Sequence, residues 1–122
     1  MKKAVLITAE GSVTAIEIDP DTELTQLQAR VAGDVEVLRL KGIDMWCNDL
    51  GKRQMLPFNR LATVLYMYEA KNLDVIMGDV VITGPADDEG ESRSISLEAV
   101  KAHLNVAFAA WGIFVSLSDL EG

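Results

Sequence analysis

Reactive side chains are scarce in this chain, in which Cys47 is the one cysteine and His103 the one histidine. A single cysteine cannot form an intrachain disulfide, so nothing points to an oxidising compartment. One histidine and one cysteine offer no spacing that suits zinc, and no glycine-rich phosphate-binding motif occurs. We therefore predict no catalytic residue, no metal ligand and no cofactor, and we expect a protein that is not an enzyme.

Structural roles explain these residues better than catalytic ones. Cys47 lies in a strand-like run and fits a buried apolar position. His103 lies beside the apolar stripe of a predicted helix, where an isolated histidine is usually structural. The acidic run between residues 87 and 91 lacks the alternating ligands of an EF-hand loop, and a solvated loop explains it better.

Long apolar runs are also missing. No stretch approaches the ~18 residues that span a bilayer, and the run after the two N-terminal lysines stops at Thr8, too early for a signal peptide. The net charge of −8 disfavours broad contact with nucleic acid and with anionic lipid. We expect a soluble, cytoplasmic protein with no membrane partner.

The composition that remains is that of a folded globule. A chain of 122 residues with 49% hydrophobic residues is predicted to form a single domain over residues 1–122. Runs rich in β-branched residues alternate with runs of helical periodicity in the order ββαββαβ(β)α. This order predicts an α+β fold, with two to three helices packed on a mostly antiparallel sheet.

Local signals place the elements. Lys3–Thr8 and Ser12–Ile18 read as a hairpin, and Asp21 or Thr22 is predicted to cap a helix that Gly33 ends. A second helix covers Asn59–Ala70, and the run 73–84 reads as strand, glycine interruption and strand. The third helix follows Ser96, with a stripe that extends to Phe108 and Trp111.

The stretch "NDLGKRQMLPFNRLAT", residues 48–63, concentrates turn-forming and basic residues. Asn48 with Asp49 suits a turn, Gly51 is expected to supply a positive φ, and Asn59 is expected to cap the second helix. A structural strand–turn–cap explains all of these residues. The functional alternative is a basic lip beside a helix N-terminus, which makes a candidate binding surface of Asn48, Gly51, Lys52, Arg53, Asn59 and Arg60.

A second candidate contact lies at the C-terminus. The tail "WGIFVSLSDLEG" contains the apolar residues Trp111, Ile113, Phe114 and Val115. Apolar side chains in a short tail favour either an edge strand or a contact with a partner protein or a second copy of the chain.

Several segments together resemble a known family. The motifs are "LTQLQARVAGDVEVLRL", "NDLGKRQMLPFNRLAT" and "DVIMGDVVITG", and the matching residues are Leu27, Gln28, Gly33, Asn48, Gly51, Lys52, Pro57, Asn59, Ala62, Thr63, Gly78, Asp79, Val80 and Val81. In order and spacing they resemble the DUF3846 family, a domain of unknown function. The resemblance covers about residues 3–84, where Ala32-Gly33 replaces an expected pair of glycines.

The resemblance implies an origin rather than an activity. It implies a protein of bacteria, mobile elements or bacteriophages, notably those of actinobacteria, and it supplies no activity. It divides the chain into a family-like core over residues 1–84, an acidic loop over 85–94 and an additional helix and tail over 95–122.

Three functions follow from these observations. The first is a small non-enzymatic accessory protein, bacterial or phage-encoded, that binds a host or phage protein. The second is a binder of nucleic acid or a small anionic ligand through the Lys52, Arg53 and Arg60 lip. The third is an acidic inhibitor that mimics DNA. The scarcity of reactive residues favours the first.

Overall fold

The computed structural model describes residues 1–112, and it describes side chains as far as residue 110. The described residues form a five-stranded sheet of strand order β2-β1-β5-β4-β3, in which every neighbouring pair is antiparallel. The strands are β1 (Lys2–Ile7), β2 (Val13–Ile18), β3 (Val35–Arg39), β4 (Asp44–Asn48) and β5 (Val80–Thr83). The predicted α+β class and the order of its elements are confirmed.

Among the described residues, three α-helices cover the two faces of the sheet. They are α1 (Glu23–Val31), α2 (Arg60–Ala70) and α3 (Leu97–Ala107); a 3₁₀ turn (Pro20–Thr22) precedes α1 and a π-helical turn (Phe108–Gly112) follows α3. One hydrophobic cluster joins α2 and α3 to one face, through residues such as Ile7, Met45 and Leu65. A smaller cluster on the other face packs Leu27 of α1 against Val81.

Strand β5 is the centre of this arrangement. All four of its residues are buried, since it has a strand on each side and helices above and below. This explains the apolar run 80–82 in its sequence. The strand predicted before Gly78 does not form, because Met77 makes only one isolated bridge, to Phe58, and no ladder of paired residues. Gly78 then turns the chain at φ +88° and donates its N–H to the carbonyl of Pro57.

The ends of α1 differ from the prediction. Asp19 accepts a bond from the N–H of Asp21 at the 3₁₀ turn, while Thr22 occupies the N-cap of α1 without a capping bond. At the other end Ala32, and not Gly33, adopts the left-handed conformation, with φ 63°. Gly33 is required for space, because a Cβ there would lie 2.7 Å from Asn48 Nδ2.

Candidate functional site

Asn48 anchors the start of the stretch 48–63. Its Nδ2 donates to the carbonyl of Val31 at 3.1 Å, to the carbonyl of Ala32 at 3.3 Å and to Oε1 of Gln54 at 3.2 Å. Its Oδ1 accepts the N–H of Leu50 at 2.8 Å, which closes the predicted turn. Asn48 is buried, and its amide fastens the loop after β4 to the C-terminus of α1.

Gly51 has a role other than the one expected. Its φ is not positive, and a Cβ there would lie 2.9 Å from the carbonyl oxygen of Met77. Gly51 is therefore needed because two backbones approach each other closely. The left-handed residue of this loop is Met55, at φ 52°, whose side chain is 84% exposed.

Asn59 caps α2 as predicted, and it does more. Its Oδ1 accepts the N–H of Ala62 at 3.0 Å, while its Nδ2 donates to the carbonyls of Ile7 and Gly78 at 3.0 and 2.9 Å. The side chain is fully buried. The N-terminus of α2 is thus occupied by the protein's own side chain, which removes the helix-end part of the predicted anion site.

Beside this loop a cleft of about 220 Å³ opens at the β3 edge of the sheet. Its lining comes from β3, from the end of β4 with the following loop, and from the segment before β5: Glu36, Leu38, Cys47, Asn48, Asp49, Leu50, Gly51, Lys52, Arg53, Asp74, Val75, Ile76 and Met77. Leu38 and Cys47 also pack against the cluster under α2 and α3. The cleft therefore lies on that face of the sheet, beyond the cover of the helices.

The charges of the cleft are mixed. Lys52 forms an ion pair with Asp74, and the hydrogen bond from Lys52, followed by one from the backbone of Val75, lowers the pKa of that carboxyl. Among the described residues, Arg53, Glu36 and Asp49 make no ion pair. Within the part of the chain that the structure describes, the cleft therefore holds two carboxylates and one cation that have no ion pair.

Arg60 lies apart from Lys52 and Arg53. It does not line the cleft, and its guanidinium lies over the ring of Phe108, 5.2 Å from the centroid. The structure thus brings Lys52 and Arg53 together on one rim and places Arg60 against the end of α3. The residues of the predicted basic lip do not form one continuous surface.

Cys47 and His103 have separate surroundings. Burial, followed by the negative charges of Glu36 and Asp49, raises the pKa of the Cys47 thiol to about 12, so the thiol is protonated at neutral pH. His103 Nδ1 lies 2.7 Å from Oε1 of Glu69 and joins α3 to α2. No group of three potential metal-binding side chains occurs within residues 1–112.

Hydrogen bonds from its own backbone to the Asp87 carboxylate hold the acidic loop. Asp87 Oδ1 accepts the N–H groups of Glu89 and Glu91, at 2.9 and 3.0 Å, and Ala86 bridges Ser92. These backbone bonds lower the pKa of Asp87. Of the predicted tail contact, Ile113, Phe114 and Val115 lie outside the described residues, as does the side chain of Trp111.

Exposed apolar side chains around the cleft are the feature that sequence reasoning missed. Leu50 is 42% exposed and Val75 43%, and both line the cleft. Phe58, 42% exposed, bridges Met77 of the lining, and side chains of directly opposed residues lie on the same side. For Phe58 the run "QMLPF" in a loop was an available signal, since loops are usually polar, but Leu50 and Val75 lie outside that run.

None of the helices within the described residues is long and apolar enough to cross a membrane.

The comparison with curated proteins found no match, and neither did the comparison with solved structures. A family model does match, over residues 1–107. The match extends past residues 3–84, where the sequence resemblance ended, and includes the acidic loop and α3. The left-handed Ala32 also explains why a glycine is expected there. The chain belongs to the DUF3846 family, a domain of unknown function.

Proposed function

We propose that this protein is a small, non-enzymatic accessory protein that binds another protein through the cleft beside β3. The observation that carries the proposal is the apolar rim, which we define as Leu50, Phe58 and Val75, each more than two fifths exposed. Exposed apolar side chains scattered singly need no explanation, but a cluster around a concave surface is typical of a binding site.

The backbone next to the rim supports the same proposal. Met55 adopts a left-handed conformation that is unfavourable for a side chain with a Cβ, and its side chain is 84% exposed. Strained and exposed positions concentrate at functional sites.

The cleft offers little for catalysis. Its thiol is protonated at neutral pH because of the raised pKa of Cys47, and the protein's one histidine pairs with Glu69 and does not line the cleft. Lys52 is held by Asp74. These contacts support binding rather than nucleophilic chemistry as the role of the site.

The partner is proposed to be a cytoplasmic host or phage protein, in keeping with the bacterial, mobile-element and phage proteins that the family resemblance implies. Recognition of nucleic acid through Lys52, Arg53 and Arg60 is less well supported, because Arg60 lies over Phe108 away from the other two. The acidic DNA mimic rests on net charge alone.

The test is affinity capture from bacterial lysate, with and without nuclease, read by mass spectrometry. The variant Leu50→Ser with Val75→Ser removes two rim residues, and Leu24→Ser is its matched control. Leu24 is 58% exposed but lies on α1, against the opposite face of the sheet. We expect a host protein that wild type and the control retain and the double variant loses.

Other outcomes overturn the proposal. Equal capture by the double variant places the contact elsewhere, with the C-terminal tail next to be mutated. Capture that disappears after nuclease treatment identifies nucleic acid as the bridging partner.

A further inference from the structure

Strand β3 is an open edge of the sheet. It pairs with β4 on one side, and within residues 1–112 no strand pairs with its other side. The cleft begins at this edge, because Glu36 and Leu38 of β3 line it. A sheet edge with an adjoining cleft is the arrangement in which extended peptides add as a further strand.

The hydrogen-bond register shows which backbone groups are available. The N–H of Asp49 donates to the carbonyl of Asp34, and the N–H of Leu40 to that of Ile43, both at 2.9 Å. Successive residues of an antiparallel strand direct their backbone groups to opposite sides. Residues 36 and 38 therefore bond towards β4, while residues 35, 37 and 39 direct N–H and C=O groups away from it.

Side chains alternate in the same way but between the two faces of the sheet. Leu38 packs on the cluster under α2 and α3, and Val35 on the cluster under α1. An added strand would therefore bring every second side chain to the cleft, beside Glu36 and Leu38. Directly opposed residues of this type lie about 4.5 Å apart between Cα atoms.

Charge decides which side chain fits beside Glu36. Glu36 and Asp49 both raise the pKa of the Cys47 thiol, so both carboxylates act on the same part of the cleft, and neither is paired by a described residue. Among the described residues that line the cleft, Arg53 is the one cation without an ion pair, since Lys52 is held by Asp74. With a net charge of −8 the whole chain also attracts a basic partner.

We infer that β3 receives an extended segment of the partner protein as a sixth, antiparallel strand, whose pattern is apolar–x–basic. The apolar residue lies opposite Leu38 and the lysine or arginine lies opposite Glu36, within reach of Asp49. This inference rests on the proposed function, since it states how the partner enters the cleft. It also predicts that broad acidic surfaces are poor partners.

A synthetic peptide tests the inference without a known partner. The probe is a peptide of about nine residues with threonines around a central valine–threonine–lysine, and its control has glutamate in place of the lysine. Each is titrated into the ¹⁵N-labelled full-length protein and followed by amide NMR and hydrogen exchange. We expect the lysine peptide to shift and protect the amides of Val35, Val37 and Arg39 and to bind about tenfold more tightly than the glutamate peptide.

Two variants separate strand addition from other contacts. Val37→Pro removes an outward N–H, which an edge strand tolerates, and Val37→Thr is its matched control because it keeps that N–H. We expect the proline variant to lose the peptide and the threonine variant to keep it. If Val37→Pro does not fold, Glu36→Lys decides, because it is expected to reverse the preference between the two peptides.

The inference is overturned if the three amides do not respond to millimolar peptide, or if Glu36→Lys leaves the preference unchanged. It is also overturned if these amides are already protected in the free protein. Protection of these amides at every protein concentration would identify the chain's own tail as the occupant of the β3 edge. Protection that grows with protein concentration would identify a second copy of the chain as the occupant. Capture that depends on the apolar rim but survives Val37→Pro leaves the proposed function standing and removes strand addition alone.

Discussion

Replacing Asn59 by aspartate should destabilise the protein strongly, although aspartate and asparagine cap helices about equally well. The aspartate keeps an oxygen for the N–H of Ala62. It replaces the Nδ2 group that donates to the carbonyls of Ile7 and Gly78 by an oxygen, at a site that is fully buried. Two acceptors then lose their donor and face a carboxylate.

The expected magnitude follows from those two bonds. Each buried group left without its partner costs about 1–3 kcal/mol, so the loss of both bonds should lower the free energy of unfolding by about 2–6 kcal/mol. Burial raises the pKa of the introduced carboxyl above its unfolded value. Since the protonated form is then favoured in the folded state, the deficit should be smallest below about pH 4 and should grow as the pH rises.

Urea unfolding followed by circular dichroism measures the effect. Ser96→Asp is the matched control, because the Ser96 side chain caps α3 by accepting one bond, from the N–H of Ala99, at an exposed site. We expect the control to change stability by less than about 0.5 kcal/mol. Asn59→Ser, which keeps an acceptor and loses both donors, serves if the aspartate variant does not fold. An aspartate variant as stable as wild type would refute the reasoning and reduce Asn59 to a simple cap.

Three further predictions concern the cleft. Gly51→Ala should cost about 1–3 kcal/mol in urea unfolding, since its Cβ would lie 2.9 Å from the carbonyl oxygen of Met77; an unchanged midpoint contradicts the close approach. Because the pKa of Cys47 is raised from 9.0 to about 12, its thiolate fraction near neutral pH should be about a thousandfold lower in the folded protein than in urea. The rate of alkylation by iodoacetamide should fall by the same factor. Equal rates in the two states would contradict the burial of the thiol. Lys52→Met should raise the pKa of Asp74 towards its ordinary value, which carboxyl NMR measures. The same change should lower the free energy of unfolding by less than about 1 kcal/mol above pH 4, and wild type loses this contribution as the pH falls through the lowered pKa. An unmoved pKa would show that the Lys52 bond is not the cause of the shift.

Local patterns were sufficient for much of the fold. Helical periodicity located α1, α2 and α3, and the capping residues Asn59 and Ser96 marked two of their beginnings. These signals are read within one turn of the chain, where side chain and backbone are neighbours in sequence. The hairpin of β1 and β2 is equally local.

Several of the failures share a physical cause, which is contact between residues distant in sequence. Asn48 leaves no room for a side chain at Gly33, and the backbone of Met77 leaves none at Gly51. Neither glycine has the positive φ that a local reading assigns. In the same way the cleft combines residues 36 and 38 with residues 47–53 and 74–77. Sequence reasoning identified Lys52 and Arg53 as candidate binding residues, but it could not show that Lys52 forms an ion pair with Asp74.

The contact between Gly33 and Asn48 has a consequence for how the family varies. The Asn48 amide fills the space that a side chain at position 33 would need, so the two positions share one volume. A relative with alanine at position 33 should carry a smaller residue at position 48, and it would then lose the bonds that tie the loop to α1. The two positions should therefore change together in descent, and a branch that exchanges both should have a differently shaped cleft.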